Sequence, residues 1–297
     1  MNWLKSVMNS PETQPSMRMP ENLPNSGIRR ILVALDTPGR STEIIDCAAI
    51  LAFRLQAELT GLFIEDVNLL RLAALPFAHE LPCASLLERR LDPPVMERIL
   101  RAQAAAIRQR LANSATRANI PWSFEVRRGH VLDELLALAP AADLLVIGEF
   151  DQAIVPIGEQ RHLCCQLLLR SSCSILVQHH SADGAQAVLV LYDGSPAADR
   201  ALQLASLMAQ DDEGRSLFVL LPPGCQALQQ QLTQRFHQHP GQVRYVLLPD
   251  FSMATLLAVM TQQRARVLLA AAETLAGSPT LLQQLPEKLN CDFVLVR

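Results

Sequence analysis

An open, doubly wound α/β fold, present twice in the chain, is predicted by three observations. Short apolar runs alternate with longer stretches of helical period five times between Ile28 and Gln178, the pattern of a parallel sheet with helices on both faces. Runs such as Leu144 to Ile147 and Ile175 to Val177 are continuous rather than alternating, as strands buried on both faces require. The arrangement then recurs: Asp193 to Ala209 aligns without a gap on Asp36 to Ala52, and each stretch follows an apolar strand.

Taken in order, residues 1–27 are rich in Pro, Asn and Ser and lack the apolar core of a signal peptide. They are expected to be a disordered leader. The first domain is expected over 28–178. Ile28 to Asp36 is its first strand, closed by the turn residues Asp-Thr-Pro-Gly. A helix runs from about Ser41 to Gln56, with Ile44, Ile45, Ala48, Ala49, Leu51, Ala52 and Leu55 at helical spacing and Ser41 or Thr42 as cap. Glu58 to Ile64 is the second strand. Residues 65–93 read as an insertion, apolar but broken by Pro76, Pro82 and Pro93. Val95 to Ala118 is a long Arg-rich helix, Trp122 to Val126 the third strand and Val131 to Ala139 a short helix. Leu144 to Ile147 is the fourth strand. A polar connection and a helix carrying Leu163, Leu167 and Leu168 lead to the fifth, Ile175 to Val177.

The polar, turn-rich stretch from His179 to Gln186 marks a domain boundary, and the second domain is expected over 187–297. Its strands are Ala187 to Asp193, Leu217 to Leu221, Val243 to Leu248, Val267 to Ala271 and Cys291 to Val296. Glu273 falls on Glu149, and Cys291 falls on Cys173. The insertion has no counterpart, so the second copy is the shorter one.

Composition narrows the function. Hydrophobic residues make up 49% of the 297 and charged residues 19%, a globular balance. A net charge of -3 gives no general attraction to nucleic acid or to an anionic membrane. No apolar run approaches the roughly 20 residues that span a bilayer. The seven cysteines are odd in number and irregularly spaced, as in a reduced, cytoplasmic protein. The long helix is rich in Arg, but Glu88, Asp92 and Glu97 interleave with it and no aromatic run accompanies it, so it reads as a solvated face.

In a sheet of this kind a ligand sits beyond the carboxyl ends of the strands, which directs attention to Asp36, Gly148 and residues 148–162. The strand ending in Asp36 or Asp193, the ADLLVIG strand at 142–148 and the Cys-led last strands at Cys173 and Cys291 resemble the universal stress protein family over nearly all of 28–297. The resemblance implies two tandem Rossmann-like domains of the adenine-nucleotide alpha hydrolase-like kind, each a five-stranded parallel sheet flanked by helices. It also implies dimerisation, here as an intramolecular pseudo-dimer with the fifth strands meeting, or as a homodimer. One branch of the family binds ATP. That branch uses the aspartate after the first strand and a loop of the form G-x2-G-x9-G-[ST] after the fourth.

Carried onto this chain, the resemblance marks Asp36, Thr37, Gly148, Gly158 and Arg161 in the first copy. In the second it marks Asp193, Gly194, Ser195, Gly277 and Ser278. Both phosphate loops are degenerate. Asp151 stands where the second glycine belongs, and the Ala272 to Ser278 loop is too short and lacks the first glycine. Bare backbone N–H groups bind phosphate, and a carboxylate there opposes it. Two like charges about 4 Å apart repel by roughly 4 kcal/mol at an effective dielectric near 20.

Two further constellations stand in the chain. His162, Cys164, Cys165, Cys173, His179 and His180 are dense enough to suggest a metal or thiol sensor, but Cys164 and Cys165 point about 100° apart on a helix and the spacing fits no finger, so buried structural cysteines are the better reading. Asp36, Glu149 and His162 offer an acid–base set without a nucleophile or a glycine cradle. The expectation is therefore a non-enzymatic stress-response or regulatory protein with no assigned cofactor and no metal. It would bind an unidentified protein partner or a small ligand. Two alternatives stay open. One is an ATP-binding universal stress protein with at most weak hydrolysis; the other is a thiol or metal sensor. The insertion is expected to pack its apolar residues Leu69, Leu70, Leu72, Leu75 and Phe77 and to narrow the first crevice.

Overall fold

Among the described residues, each of two units is built on five strands that pair in parallel within it. The computed structural model describes residues 27–36, 41–77, 79–80, 89–90, 92–148, 157–179, 186–209, 216–235 and 243–297. Thr37, the leader over 1–26, Glu149, Asp151 and His180 lie outside them. The chain divides into one unit of Ile28–Gln178 and another containing His179–Arg297.

In the first unit β1 (Arg30–Leu35) leads to α1 (Ser41–Leu55) and β2 (Glu58–Asp66). The inserted region follows, as α2 (Val67–Ala73) and a two-residue antiparallel pair, β3 (His79–Glu80) with β4 (Arg89–Arg90). The 26-residue α3 (Pro93–Ala118) comes next, then β5 (Trp122–Gly129), α4 (Val131–Leu138), β6 (Leu144–Ile147), α5 (Ile157–Arg170) and β7 (Ser174–Val177). All the pairings of the main sheet are parallel, in the order β5-β2-β1-β6-β7. The central strands are buried on both faces: Leu144, Leu145, Val146 and Ile147 have no accessible surface, which explains their unbroken apolar run. The edge strand β5 is half-exposed and carries Glu125, Arg127 and Arg128, charges that suit an unpaired edge.

The second unit repeats this with β8 (Ala187–Leu191), α6 (Pro196–Ala209), β9 (Leu217–Leu221), α7 (Gln226–Arg235), β10 (Val243–Leu247) and α8 (Met253–Gln262). It closes with β11 (Ala265–Ala271), α9 (Ala272–Ala276), α10 (Pro279–Lys288) and β12 (Asp292–Val296). Its order is β10-β9-β8-β11-β12, again all parallel. In both units the third, second, first, fourth and fifth strands lie side by side. The order reverses between first and fourth, so the ligand crevice of this topology falls there.

Local chemistry fixes these elements. Asn119 takes a left-handed conformation, φ 51°, at the end of α3, one of the few places a non-glycine residue adopts it readily. At the amino end of β6, Asp143 Oδ2 accepts from the Arg29 and Arg30 amides, both at 2.9 Å, and Oδ1 accepts from the Arg30 guanidinium at 3.3 Å. Burial pushes this carboxyl up, but the three bonds outweigh it and hold it below the ordinary carboxylate range. Gly61 in β2 lets α3 lie close: a Cβ there would stand 2.5 Å from Leu111 Cδ2 and 3.0 Å from Phe124 Cδ2. No helix among the described residues is long and apolar enough to cross a membrane.

Candidate functional site: two crevices closed in different ways

Asp36 follows β1 and is half-buried, and Gly148 follows β6. The register Val33↔Val146 places Gly148 beside Leu35, so both reach the first-unit crevice. The glycine is explained by packing: a Cβ at Gly148 would meet Ile44 Cδ1 of α1 at 3.1 Å. Gly158 lies in the first turn of α5, and Arg161 one turn further along it.

The inserted region lies over the strand ends on the β1–β2 side of Asp36. α3 is 26 residues long against 15 for α1. Arg110 donates to Thr42 Oγ1 at 2.7 Å, and Ser114 to Asp46 Oδ1 at 2.6 Å, so α1 starts alongside the second half of α3. At 1.5 Å per residue the first part of α3 overhangs by about 25 Å. Asp66 caps α2 by accepting from the Asn68 amide at 2.8 Å, and α2 packs on α3. Arg128 binds the overhang to the sheet, donating Nε to the buried Glu65 at 2.8 Å and Nη1 to Glu97 at 3.2 Å. Beneath the overhang, on the β1–β2 side of Asp36, lies a cavity of about 50 Å³ lined by Asp36, Phe63, Asp66, Leu69, Leu100 and Gln103, among others. Leu69 thus lines a cavity beside Asp36. Its neighbours Leu72, Leu75 and Phe77 are exposed, Phe77 by 73%, so of the packing partners expected for them their own domain is not the one. The short α2 directs only one of its faces onto the domain.

The second-unit crevice is built from the same strand ends. Asp193 Oδ1 accepts from the Ser195 amide at 2.9 Å, and Ser195 Oγ accepts from the Ala198 amide at 3.1 Å, capping α6. Gly194 sits between them at φ +85°, where a side chain is strained and where a Cβ would also lie 3.0 Å from Leu228 Cδ2. Burial pushes the Asp193 carboxyl up, and its bonds to Ser195 more than reverse this, leaving it below the ordinary range. Tyr192 donates to Asp199 Oδ1 at 3.0 Å, bracing the same turn. After β11 no loop follows. Helix α9 begins at the next residue, Leu275 on it is fully buried, and Thr274 Oγ1 is shut from solvent. Gly277 ends α9 in an ordinary helical conformation, φ −69°, with open space around its Cα, and Ser278 precedes α10 without a side-chain capping bond. The pair forms a joint between two helices, and nothing in its backbone requires glycine.

The Cys and His residues are scattered. His162 is exposed on α5, Cys164 is buried and Cys165 half-buried. Cys173 is buried in a turn, its amide donating to Ser171 Oγ at 3.3 Å, and the His179 amide donates to Asp292 Oδ1 at 2.9 Å. Burial and the neighbouring Asp292 charge push the Cys291 thiol up to about 12, far from a reactive thiolate. Among the described residues no three His, Cys, Asp or Glu side chains converge as metal ligands would. Sequence reasoning missed Asp66 and Gln103 as lining residues. The Asp66 cap ahead of a helix was readable; Gln103 reaches the crevice only because α3 overhangs.

No family model matches the chain, and no curated protein matches it. Its fold does match solved structures along most of its length. A universal stress protein from Archaeoglobus fulgidus DSM 4304 aligns with a TM-score of 0.58 at 13% identity, covering 89% of this chain and 95% of that one. A functionally unknown protein from Pseudomonas aeruginosa PAO1 aligns at 0.55 and 15%, covering 91% and 92%. A putative universal stress protein from Pseudomonas aeruginosa UCBPP-PA14 aligns at 0.54 and 14%, covering 91% and 93%. The protein is thus of the doubled, doubly wound α/β class, and its fold is the one that universal stress proteins adopt.

Proposed function

We propose that this chain is a tandem universal stress protein that acts by binding, as a regulator in the cytoplasm, and not as an enzyme. Its crevices are unsuited to ATP. The observation that carries this reading is the little room at the described strand ends: in the second unit α9, with the buried Leu275, begins directly after β11, and in the first unit the cavity beside Asp36 is about 50 Å³. Small-molecule pockets commonly run to about 300–1,000 Å³. The acids agree in sign, since Asp36 and Asp66 both line the first cavity and a phosphate would meet negative charge. The protein partner would then engage the surface left by the insertion, where Leu72, Leu75 and Phe77 are exposed.

Mass spectrometry of small molecules released from freshly purified, desalted protein tests the reading. No adenine nucleotide held through the crevices is expected. Nucleotide retained at one per chain and lost on Gly148→Leu would falsify it.

A further inference from the structure

Away from both crevices, the first unit carries an open groove of about 740 Å³ between α1 and α3. That size suits a small organic ligand. The lining is cationic and hydrogen-bonding. Arg110 and Arg117 lie two turns apart on one face of α3, about 10 Å along its axis. Thr42, Gln109, Asn113 and Thr116 add neutral polar groups, all exposed. The single acid in the lining is Asp46. It is buried and already engaged, its Oδ1 accepting from Ser114 Oγ at 2.6 Å and from Arg117 Nη2 at 3.4 Å. Arg117 is therefore held in place by a buried carboxylate while its side chain stays 54% exposed. Arg110 is held too, by its bond across the groove to Thr42 Oγ1 at 2.7 Å.

We propose that this groove binds a small phosphate-bearing organic ligand, with Arg110 and Arg117 taking the anionic groups. A guanidinium presents its donors in a planar fork that matches phosphate oxygens. Both are already fixed by neighbours, so less side-chain freedom is lost when the ligand arrives. Phosphate is thereby taken on the helical face of the domain, while the strand-end crevice, lined by Asp36 and Asp66, excludes it.

Calorimetric titration of the full chain with inorganic pyrophosphate at low ionic strength tests this. Saturable binding is expected, weakening as salt is raised. Arg110→Gln removes one charged donor set and should weaken it about tenfold or more. Asn113→Glu, at an exposed position, should abolish it with thermal unfolding unchanged. Gly148→Leu should leave it intact. Absence of saturable binding, or binding that survives both groove substitutions, overturns the proposal. Binding lost in Gly148→Leu but kept in Arg110→Gln would place the anion in the crevice and overturn the reading of the crevices as well. Loss in Arg110→Gln alone leaves that reading untouched.

Discussion

Asp36 and Asp193 occupy the same place in the two halves, one residue or so beyond the first strand, and what surrounds them differs. Asp193 is drawn into its own turn, with Ser195 as partner and Gly194 in the left-handed region. The strand opposite runs straight into α9, whose Leu275 is fully buried. Asp36 instead borders a small cavity, roofed by the overhang of α3 and by Leu69 of α2. One strand order thus yields two closures. The shorter copy shortens a connection until a helix replaces the loop, and the longer copy lengthens a helix until it covers the strand ends. Neither closure disturbs the sheet, because each is made beyond the last paired residue.

The comparison can be broken at each closure. The largest effect is expected at Leu275, which has no accessible surface. Leu275→Ala should cost about 2–5 kcal/mol in urea unfolding without creating nucleotide binding. A stable, nucleotide-binding variant would show that α9 is a lid and not core. In the first half, Gly61→Ala sets a Cβ 2.5 Å from Leu111 Cδ2 and pushes α3 off β2. A loss of about 1–3 kcal/mol is expected, and an unchanged melting temperature would mean α3 is loosely held. Arg128→Met leaves Glu65 buried without that donor and should lower the melting temperature, which circular dichroism melts check. Ser195→Ala removes the α6 cap and should cost about 0.5–2 kcal/mol, read by the same melts.

Acid sharpens the picture. Asp143 and Asp193 both titrate below the ordinary carboxylate range when folded. Their contribution is fully present above the unfolded pKa, near 4, and is lost as pH falls through the lower folded values. Both halves should therefore lose stability below about pH 4, and Asp143→Asn should flatten that dependence in the first. Equal acid slopes for the wild type and this variant would contradict it.

Most of the fold was legible because the central strands are apolar without interruption and the helices between them keep their period. The legible part ended where charge entered. β2 extends through Glu65 and Asp66, and β5 through Arg127, Arg128 and Gly129. Those residues look like loop, yet Glu65 and Arg128 neutralise each other across the two strands. The stretch from Ala272 to Ala276 is too short to show a helical period, and it is helical because Leu275 finds a core to enter. In the candidate site, Asp36, Gly148 and Asp193 were readable from strand ends. Gln103 and the Arg110–Arg117 groove were not, since they depend on how far α3 runs past α1, which no local pattern encodes.

The central claim is that neither crevice holds a nucleotide. It is tested most directly by titrating ATP calorimetrically into the Arg110→Gln chain, in which the helical groove is weakened. The account predicts no saturable heat. A one-to-one saturable heat that disappears when Gly148→Leu is added would contradict it.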